Sequence, residues 1–323
     1  MKKSFKLLLA TAVLVTEVFV VALPILTTSA KADGAIQAIT HAGFGGGTDV
    51  TTRMMLLRTR RYLKQDMQLV NKKGGGGAAS MDYMMTLPAD GQHTLTWTTG
   101  HAVSMALGKT KVKLSDMQPL ARGTDDPQLF VVNCKNDIKD AKKFISAQKS
   151  KSLKYGTTHV GGIDDVSAIA FTKKGNLTDP TIVAYKGVAP IKTNLIKGDI
   201  DVGVLNLGEA VTEIEDGTLC VAVVLASKRM EKLSNVPTAT ELGIPVVLST
   251  VRGFVTKKGV SADRAKTLED AMIKAMEHKY FQSFLTDIGL DATSVVGADE
   301  WGKQMEVMLA EMSSQLKALG YIK

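Results

Sequence analysis

The sequence predicts an α/β protein of two domains, and three observations carry that prediction. Short apolar runs alternate with amphipathic ones along most of the chain, as expected when strands and helices take turns. A polar glycine-rich turn with an Asp opening the next helix occurs twice, in 39–61 and in 153–171. Once an N-terminal export signal of 32 residues is set aside from the 323, a chain of 291 remains, enough for two domains of ordinary size.

The signal is read from Lys2, Lys3 and Lys6 as a basic start, a mostly apolar stretch at 7–26, and Ala30-Lys31-Ala32 as a small-x-small cleavage site. Glu17 and Pro24 interrupt the apolar stretch, which speaks against a retained membrane span. The competing reading is an anchor that is never cleaved. Lipid attachment is excluded because no Cys follows the apolar stretch. The expected location is the periplasm.

Removing the signal takes four Lys and one Glu from a net charge of +8 and leaves +5, spread along the chain. That balance does not argue for nucleic acid, and 5% aromatic residues make a poor stacking platform for bases. Cys134 and Cys220 are either a disulfide, as an oxidising compartment permits, or two buried thiols. No Cys-x-x-Cys or close Cys/His spacing points to a metal or redox site.

Within 39–61, four glycines (Gly43, Gly45, Gly46, Gly47) precede Thr48-Asp49 and a long run free of Gly and Pro. Consecutive glycines leave backbone N–H groups uncovered, and the first N–H groups of a helix have no internal partner. With the positive end of the helix dipole they form an anion site. Val50, Met54 and Leu57 predict the buried stripe of this helix, and Arg53, Arg58, Arg60, Arg61 and Lys64 a solvated face or, less simply, a basic patch.

Further along, 67–71 reads as a strand, Gly74 to Gly77 as a turn, 78–87 as a helix stopped by Pro88, and 95–98 as a strand ending in a loop at Thr99-Gly100-His101. Strands follow at 128–133, 153–156, 181–184, 200–205, 219–226 and 251–256, with helices at 141–149, 164–171, 191–196 and, after Pro237, at 237–243. In the second glycine loop, Thr157-Thr158-His159-Val160-Gly161-Gly162, the helix opens with Asp164-Asp165; these carboxylates complement the helix dipole, so a structural use suffices for them. Ser261 is a suitable N-cap for 262–277, and Trp301, Met305, Met308, Met312, Leu316 and Leu319 trace one buried helical face, ended by Gly320. A partner surface is the other use of such a stripe.

Catalytic signatures are missing: no G-x-S-x-G, no H-E-x-x-H and no phosphate loop ending in Gly-Lys-Ser/Thr. Gly43 to Thr48 approaches a dinucleotide fingerprint but carries Thr in place of the third glycine or alanine. His101 and His159 sit in expected strand-end loops, where each either faces a ligand as hydrogen-bond donor or serves structure. The residues therefore point to binding without catalysis, with no cofactor and no metal.

A series of motifs now resembles one family. Gly45-Gly46-Gly47-Thr48-Asp49, Asn71 before the glycine run, Pro88-Ala89-Asp90-Gly91, Leu153 to Gly156, Tyr185-Lys186-Gly187, Gly198 to Val202, Ser227-Lys228-Arg229, Val236-Pro237-Thr238 and Gly253-Phe254 follow the order of the Bug/TctC receptors of tripartite tricarboxylate transporters. The resemblance implies a type II periplasmic-binding-protein fold, two α/β lobes joined by two crossing strands near 130–133 and 251–256, with the ligand cleft between them. Lobe 1 would be 33–129 plus 253–323, and lobe 2 would be 130–252.

It further implies a small carboxylate ligand, di- or tricarboxylate or aromatic, held by Phe44, Gly45, Gly46, Gly47 and Thr48 from one lobe. Thr157, Thr158, His159, Gly161, Gly162 and Asp164 hold it from the other, with Thr99, His101, Tyr185 and Asn206 lining the rest. The implied partner is the integral-membrane permease, served by a monomer. His41-Ala42-Gly43-Phe44 replaces the family's proline-stiffened entry, and Leu205 stands where an Asp often precedes the Asn, which suits a plain acid better than an ammonium. The alternatives are an exported α/β enzyme acting on a small organic acid, with His101 or His159 as base, and a ligand sensor for a signalling partner.

Overall fold

The computed structural model describes residues 34–158, 160–318 and 320–322; the expected signal at 1–32, His159 and Leu319 lie outside the described residues. β1 (Ile36–Thr40) leads to α1 (Gly47–Leu63), then β2 (Met67–Asn71), α2 (Ala78–Met85), β3 (His93–Thr98) and α3 (Thr99–Ala106). β4 (Met117–Pro127) and β5 (Leu129–Asn133) follow, then α4 (Ala141–Ser150), β6 (Lys154–Thr157), α5 (Ile163–Lys174), β7 (Thr181–Ala184) and α6 (Val188–Lys197). β8 (Val202–Leu205), α7 (Leu207–Glu215), β9 (Leu219–Val224) and β10 (Ser249–Lys257) precede α8 (Ala262–Glu277), α9 (Lys279–Asp287), β11 (Val296–Gly297) and α10 (Ala298–Ala318).

Two sheets result, ordered β11-β4-β10-β3-β1-β2 and β7-β6-β8-β5-β9, each with its own helices. β1 is parallel to β2 and β3, while β10 runs antiparallel between β3 and β4. In the second sheet β6 is parallel to β7 and β8, and β5 is antiparallel to β8 and β9. The chain changes sheet at Gln128 and again between β9 and β10. There the Gln128 N–H donates to the Leu248 carbonyl, Leu225 N–H to Gln128, and Leu248 N–H to Leu225, each at 2.9 Å. The crossings expected near 130–133 and 251–256 lie just before those segments, since β5 lies wholly in the second sheet and β10 wholly in the first.

Tertiary context overrides four local expectations. Thr48, Asp49, Thr51, Thr52, Met55 and Thr59 are the buried face of α1, while Leu57 stays 49% exposed and Val50 and Met54 are half-buried. The threonines bury at little cost because their hydroxyls bond inside the helix, Thr51 to the Gly47 carbonyl at 2.8 Å and Thr52 to that of Thr48 at 2.7 Å. Thr99 to His101 is the first turn of α3, where a loop was expected, because Thr98 and His101 close a capping box. The 11-residue β4 went unforeseen, since its sequence MQPLARGTDDP is too polar to look like a central strand. Residues 237–243 form turns in place of a short helix.

Aromatic clusters hold the two layers. Phe130 packs against Phe171, Tyr155 and Phe144 at 4.9, 5.5 and 5.9 Å, so β5 is buried on the second lobe's helices. In the first lobe Trp97 meets Trp301 at 5.8 Å, and the expected α10 stripe of Trp301, Met305, Met308, Met312 and Leu316 is buried. Ser261 caps α8 by accepting the Arg264 N–H.

Candidate functional site

The C-terminal ends of β1, β3, β6 and β8 lead directly into α1, α3, α5 and α7, so four helix N-termini open along one edge, where the chain crosses between sheets. Open α/β sheets place ligands at this position. Two of the four starts are built alike. Phe44, 79% exposed, precedes Gly45 at φ 74°, whose N–H donates to Asp49 Oδ2 at 3.1 Å. Val160, 70% exposed, precedes Gly161 at φ 68°, whose N–H donates to Asp165 Oδ2 at 2.6 Å. Each loop thus presents an apolar side chain, then a left-handed glycine, then glycine backbone leading to a helix whose Asp pins the loop four residues back.

Gly46 and Gly162 are the N-caps of α1 and α5. Asp164 accepts the Thr158 N–H and hydroxyl at 2.9 and 2.6 Å, so it orders its own loop, and Thr157 is fully buried beneath it. Both loops also have a lysine alongside. A methyl group at Gly43 would stand 3.7 Å from Lys73 Nζ, and one at Gly161 would stand 3.6 Å from Lys109 Nζ. Arg53 and Lys73 lie 5.5 and 5.9 Å from the Phe44 ring centroid. Cationic groups and helix N-termini face the same loops, which favours a negatively charged group there.

The centre of the edge holds Arg252 of β10. It is buried, and each guanidinium nitrogen has an acceptor: Nε on Thr48 Oγ1 (3.2 Å), Nη1 on Asp126 (3.0 Å), Nη2 on Asn206 Oδ1 (3.1 Å). The side chain crosses directly over Gly47, where a methyl group would come within 2.5 Å of Nη2. Asn206 completes the link by donating to the carbonyls of Asp126 and Pro127 at 3.0 Å each. Burial, opposed by Arg252 and reinforced by Glu209, pushes the Asp126 carboxyl up to about 7. Burial also raises Glu209, against the lowering effects of Arg252 and of the Asn206 N–H, which donates to Glu209 Oε2 at 3.1 Å. Thr48 stands on α1 and Asn206 caps α7, so the bonds of Arg252 to both span the two lobes.

The expected site residues divide accordingly. Gly47, Thr48, Asn206 and Asp164 meet at the crossing through Arg252 and Gln128, whereas His101 and Thr99 are fully engaged in the protein. Thr99 donates to the Ser249 carbonyl and accepts the Val251 N–H, both at 2.9 Å, which ties α3 to β10. His101 Nδ1 accepts the Thr98 N–H at 3.0 Å, so the ring proton is assigned to Nε2, which meets Ser80 Oγ at 3.0 Å. Burial, then the neighbouring His41 ring at 4.4 Å, holds this imidazole well below its ordinary pKa. Tyr185 follows β7 at the same edge but leans on Gly156. Arg252, Asp126, Glu209, Gln128, Lys73 and Lys109 were missed. Only Arg252 left a signal, a lone cation inside the otherwise apolar strand Val251 to Val255.

The open question at Cys134 and Cys220 resolves as a disulfide, with Cα atoms 5.0 Å apart, joining the end of β5 to β9. Among the described residues no group of His, Cys, Asp and Glu could hold a metal ion, and no helix is long and apolar enough to cross a membrane.

Two lobes with a cleft at their crossing define a solute-binding architecture of the type II periplasmic-binding kind. The sequence model of the tripartite tricarboxylate transporter family receptor matches residues 51–319. The chain belongs to that family. It is 26% identical to Protein BugT of Bordetella pertussis over 218 residues, 65% of this chain and 66% of that one, just under two thirds of each. The fold superposes on a TctC solute-binding protein from Polaromonas at a TM-score of 0.72, with 24% identity, covering 88% of this chain and 98% of that one. It superposes on MatC from Rhodopseudomonas palustris with bound malate at a TM-score of 0.78, with 22% identity, covering 87% and 98%. The protein is a binding receptor and not an enzyme.

Proposed function

We propose that this receptor captures a small organic carboxylate between its lobes, in the periplasm, and delivers it to the integral-membrane permease of a tripartite tricarboxylate transporter. The observation that supports the reading is the pair of matched glycine loops, Phe44-Gly45 to Asp49 and Val160-Gly161 to Asp165, with Lys73 and Lys109 beside them. The N-terminal ends of α1 and α5, at Thr48 and Gly162, are assigned to the carboxylate, while Gly45, Gly161 and Thr158 shape the two loops through their bonds to Asp49, Asp165 and Asp164. Thr99, His101, Thr157 and Asn206 position those loops from behind, and Tyr185 closes the side. Charge-assisted hydrogen bonds contribute about 1.5–3 kcal/mol each, so a handful reaches micromolar affinity, about 8 kcal/mol net of ordering.

The moving bodies are taken as 34–127 with 249–322, and 129–248. These limits shift the expected 33–129, 253–323 and 130–252 only enough to keep whole strands together. The disulfide supports an oxidising compartment, consistent with removal of 1–32 on export. The malate held by MatC supports a carboxylate as the ligand class.

Thermal unfolding with mono-, di-, tri- and aromatic carboxylates, with and without an amino group, tests the reading. A ligand at 100 times its Kd adds about 2.7 kcal/mol of stability. If no carboxylate raises Tm while a sugar or a metal ion does, the carboxylate assignment is wrong.

A further inference from the structure

The second sheet ends on β9, whose outer edge is left open. β9 pairs with β5 on one side, and among the described residues its other side is met only at Val224, which bridges Thr238. The Cys134 N–H donates to the Thr218 carbonyl at 3.1 Å, and Val132 stands opposite Cys220. Hydrogen-bonded and non-bonded pairs alternate in an antiparallel ladder, so Leu219 and Val221 turn their backbone N–H and C=O groups away from β5. Native sheets blunt such an edge with Lys or Pro, or cover it with another element. Leu219 to Val224 reads LCVAVV and carries neither residue.

A groove of about 770 Å³ runs beside this edge, and its two banks differ. Toward α7 it is apolar: Leu219, Val221, Leu233 and Val236 form one buried cluster, with Ile214 packed against it. Toward α4 it is basic, lined by Lys139 and Lys142, while Arg229 and Lys232 stand on the segment that follows β9. The acids of the rim are already engaged. Asp140 caps α4 by accepting the Lys143 N–H at 3.0 Å, and Glu241 pairs with Arg229 at 2.9 Å. Lys139 and Lys232 rest on neutral carbonyls, those of Cys134 and Asp287, at 2.9 Å each. The charge left over along the groove is positive, and it lies beside unpaired strand backbone.

We propose that this groove docks an extended segment of a partner protein, with acidic and apolar residues alternating, which joins β9 as a sixth strand of the second sheet. Main-chain bonds form with Leu219 and Val221. Successive side chains of the added strand point to opposite faces, so the apolar ones meet the Leu233 and Val236 bank and the acidic ones meet Lys139 and Lys142. The proposal is independent of the carboxylate reading, because the groove lies on the outer edge of one lobe.

Calorimetric titration of the mature chain with three blocked heptapeptides tests it. One alternates Glu and Val, one alternates Lys and Val, and the third is the Glu/Val peptide methylated on every backbone nitrogen. The first is expected to bind, and the other two about tenfold more weakly or not at all. Val221→Pro removes an outward N–H and leaves the β5 ladder whole, so with an unchanged circular dichroism spectrum it is expected to weaken the acidic peptide about tenfold. Lys139→Glu with Lys142→Glu is expected to reverse the preference in favour of the basic peptide, and this double variant decides where Val221→Pro alters the spectrum. No binding of the acidic peptide, or equal binding after methylation, overturns strand addition. Equal binding of the basic peptide overturns the acidic partner. A dimer in sedimentation that Val221→Pro dissolves makes a second copy of this chain the occupant instead.

Discussion

Arg252 and Asp126 show how one buried pair organises the centre of the molecule. The two side chains are 2% and 4% exposed and 3.0 Å apart, and their desolvation is offset only because Thr48, Thr124 and Asn206 satisfy the remaining guanidinium hydrogens. Asp126 still keeps its proton up to about 7, because burial outweighs the arginine and Glu209 adds repulsion. The sign follows from proton counting. From about 4 to about 7 the unfolded chain has lost this proton while the folded one retains it, so stability falls as pH rises through that window. His101 acts in the opposite sense: its folded-state pKa lies well below the ordinary 6.5, so the unfolded chain binds the proton first and stability falls as pH drops below that value. Urea unfolding of Asp126→Asn across pH 4.5 to 7.5 separates the two. The variant is expected to gain stability relative to wild type as pH rises; parallel curves would show that Asp126 titrates normally.

At the scale of elements, β10 does most of the positioning. It pairs with β3 and β4, holds Arg252 at the cleft and, one residue later, lets the Trp301 indole of α10 lie flat on Gly253. A methyl group there would stand 2.3 Å from Trp301 Cε2, so the ring and its helix must shift. Gly253→Ala is expected to lower stability by about 1–3 kcal/mol, the usual cost of overpacking. Chemical denaturation checks it, and no loss would mean that α10 is loosely seated. Helix α1 teaches the complementary point. Its apolar residues suggested one face, yet the threonine face is buried, because hydroxyls that bond the helix's own carbonyls behave as apolar filler and Thr52 meets Thr96 across the sheet at 2.8 Å. Helix α8 was legible from its capping serine and α10 from its uninterrupted stripe, since both act locally.

For the whole molecule, the lobes communicate through the strand crossing at Gln128, Leu225 and Leu248 and through the Arg252 bond to Asn206. A clamp whose jaws are the two glycine loops protects both at once when it closes on a ligand. Amide hydrogen exchange at saturating ligand is expected to slow together at 45–48 and 161–163, by at least tenfold; slowing at only one loop would reduce the site to a single lobe. The chain by itself determined the α/β class, both glycine loops, their Asp residues and the buried face of α10, since each depends on neighbours within a turn or two. The tertiary structure alone decided what lies at the crossing between the lobes. Arg252 finds Asp126 across 126 residues and Asn206 across 46. Those distances along the chain are closed by strand register and by the crossing between sheets, neither of which is written in any local pattern.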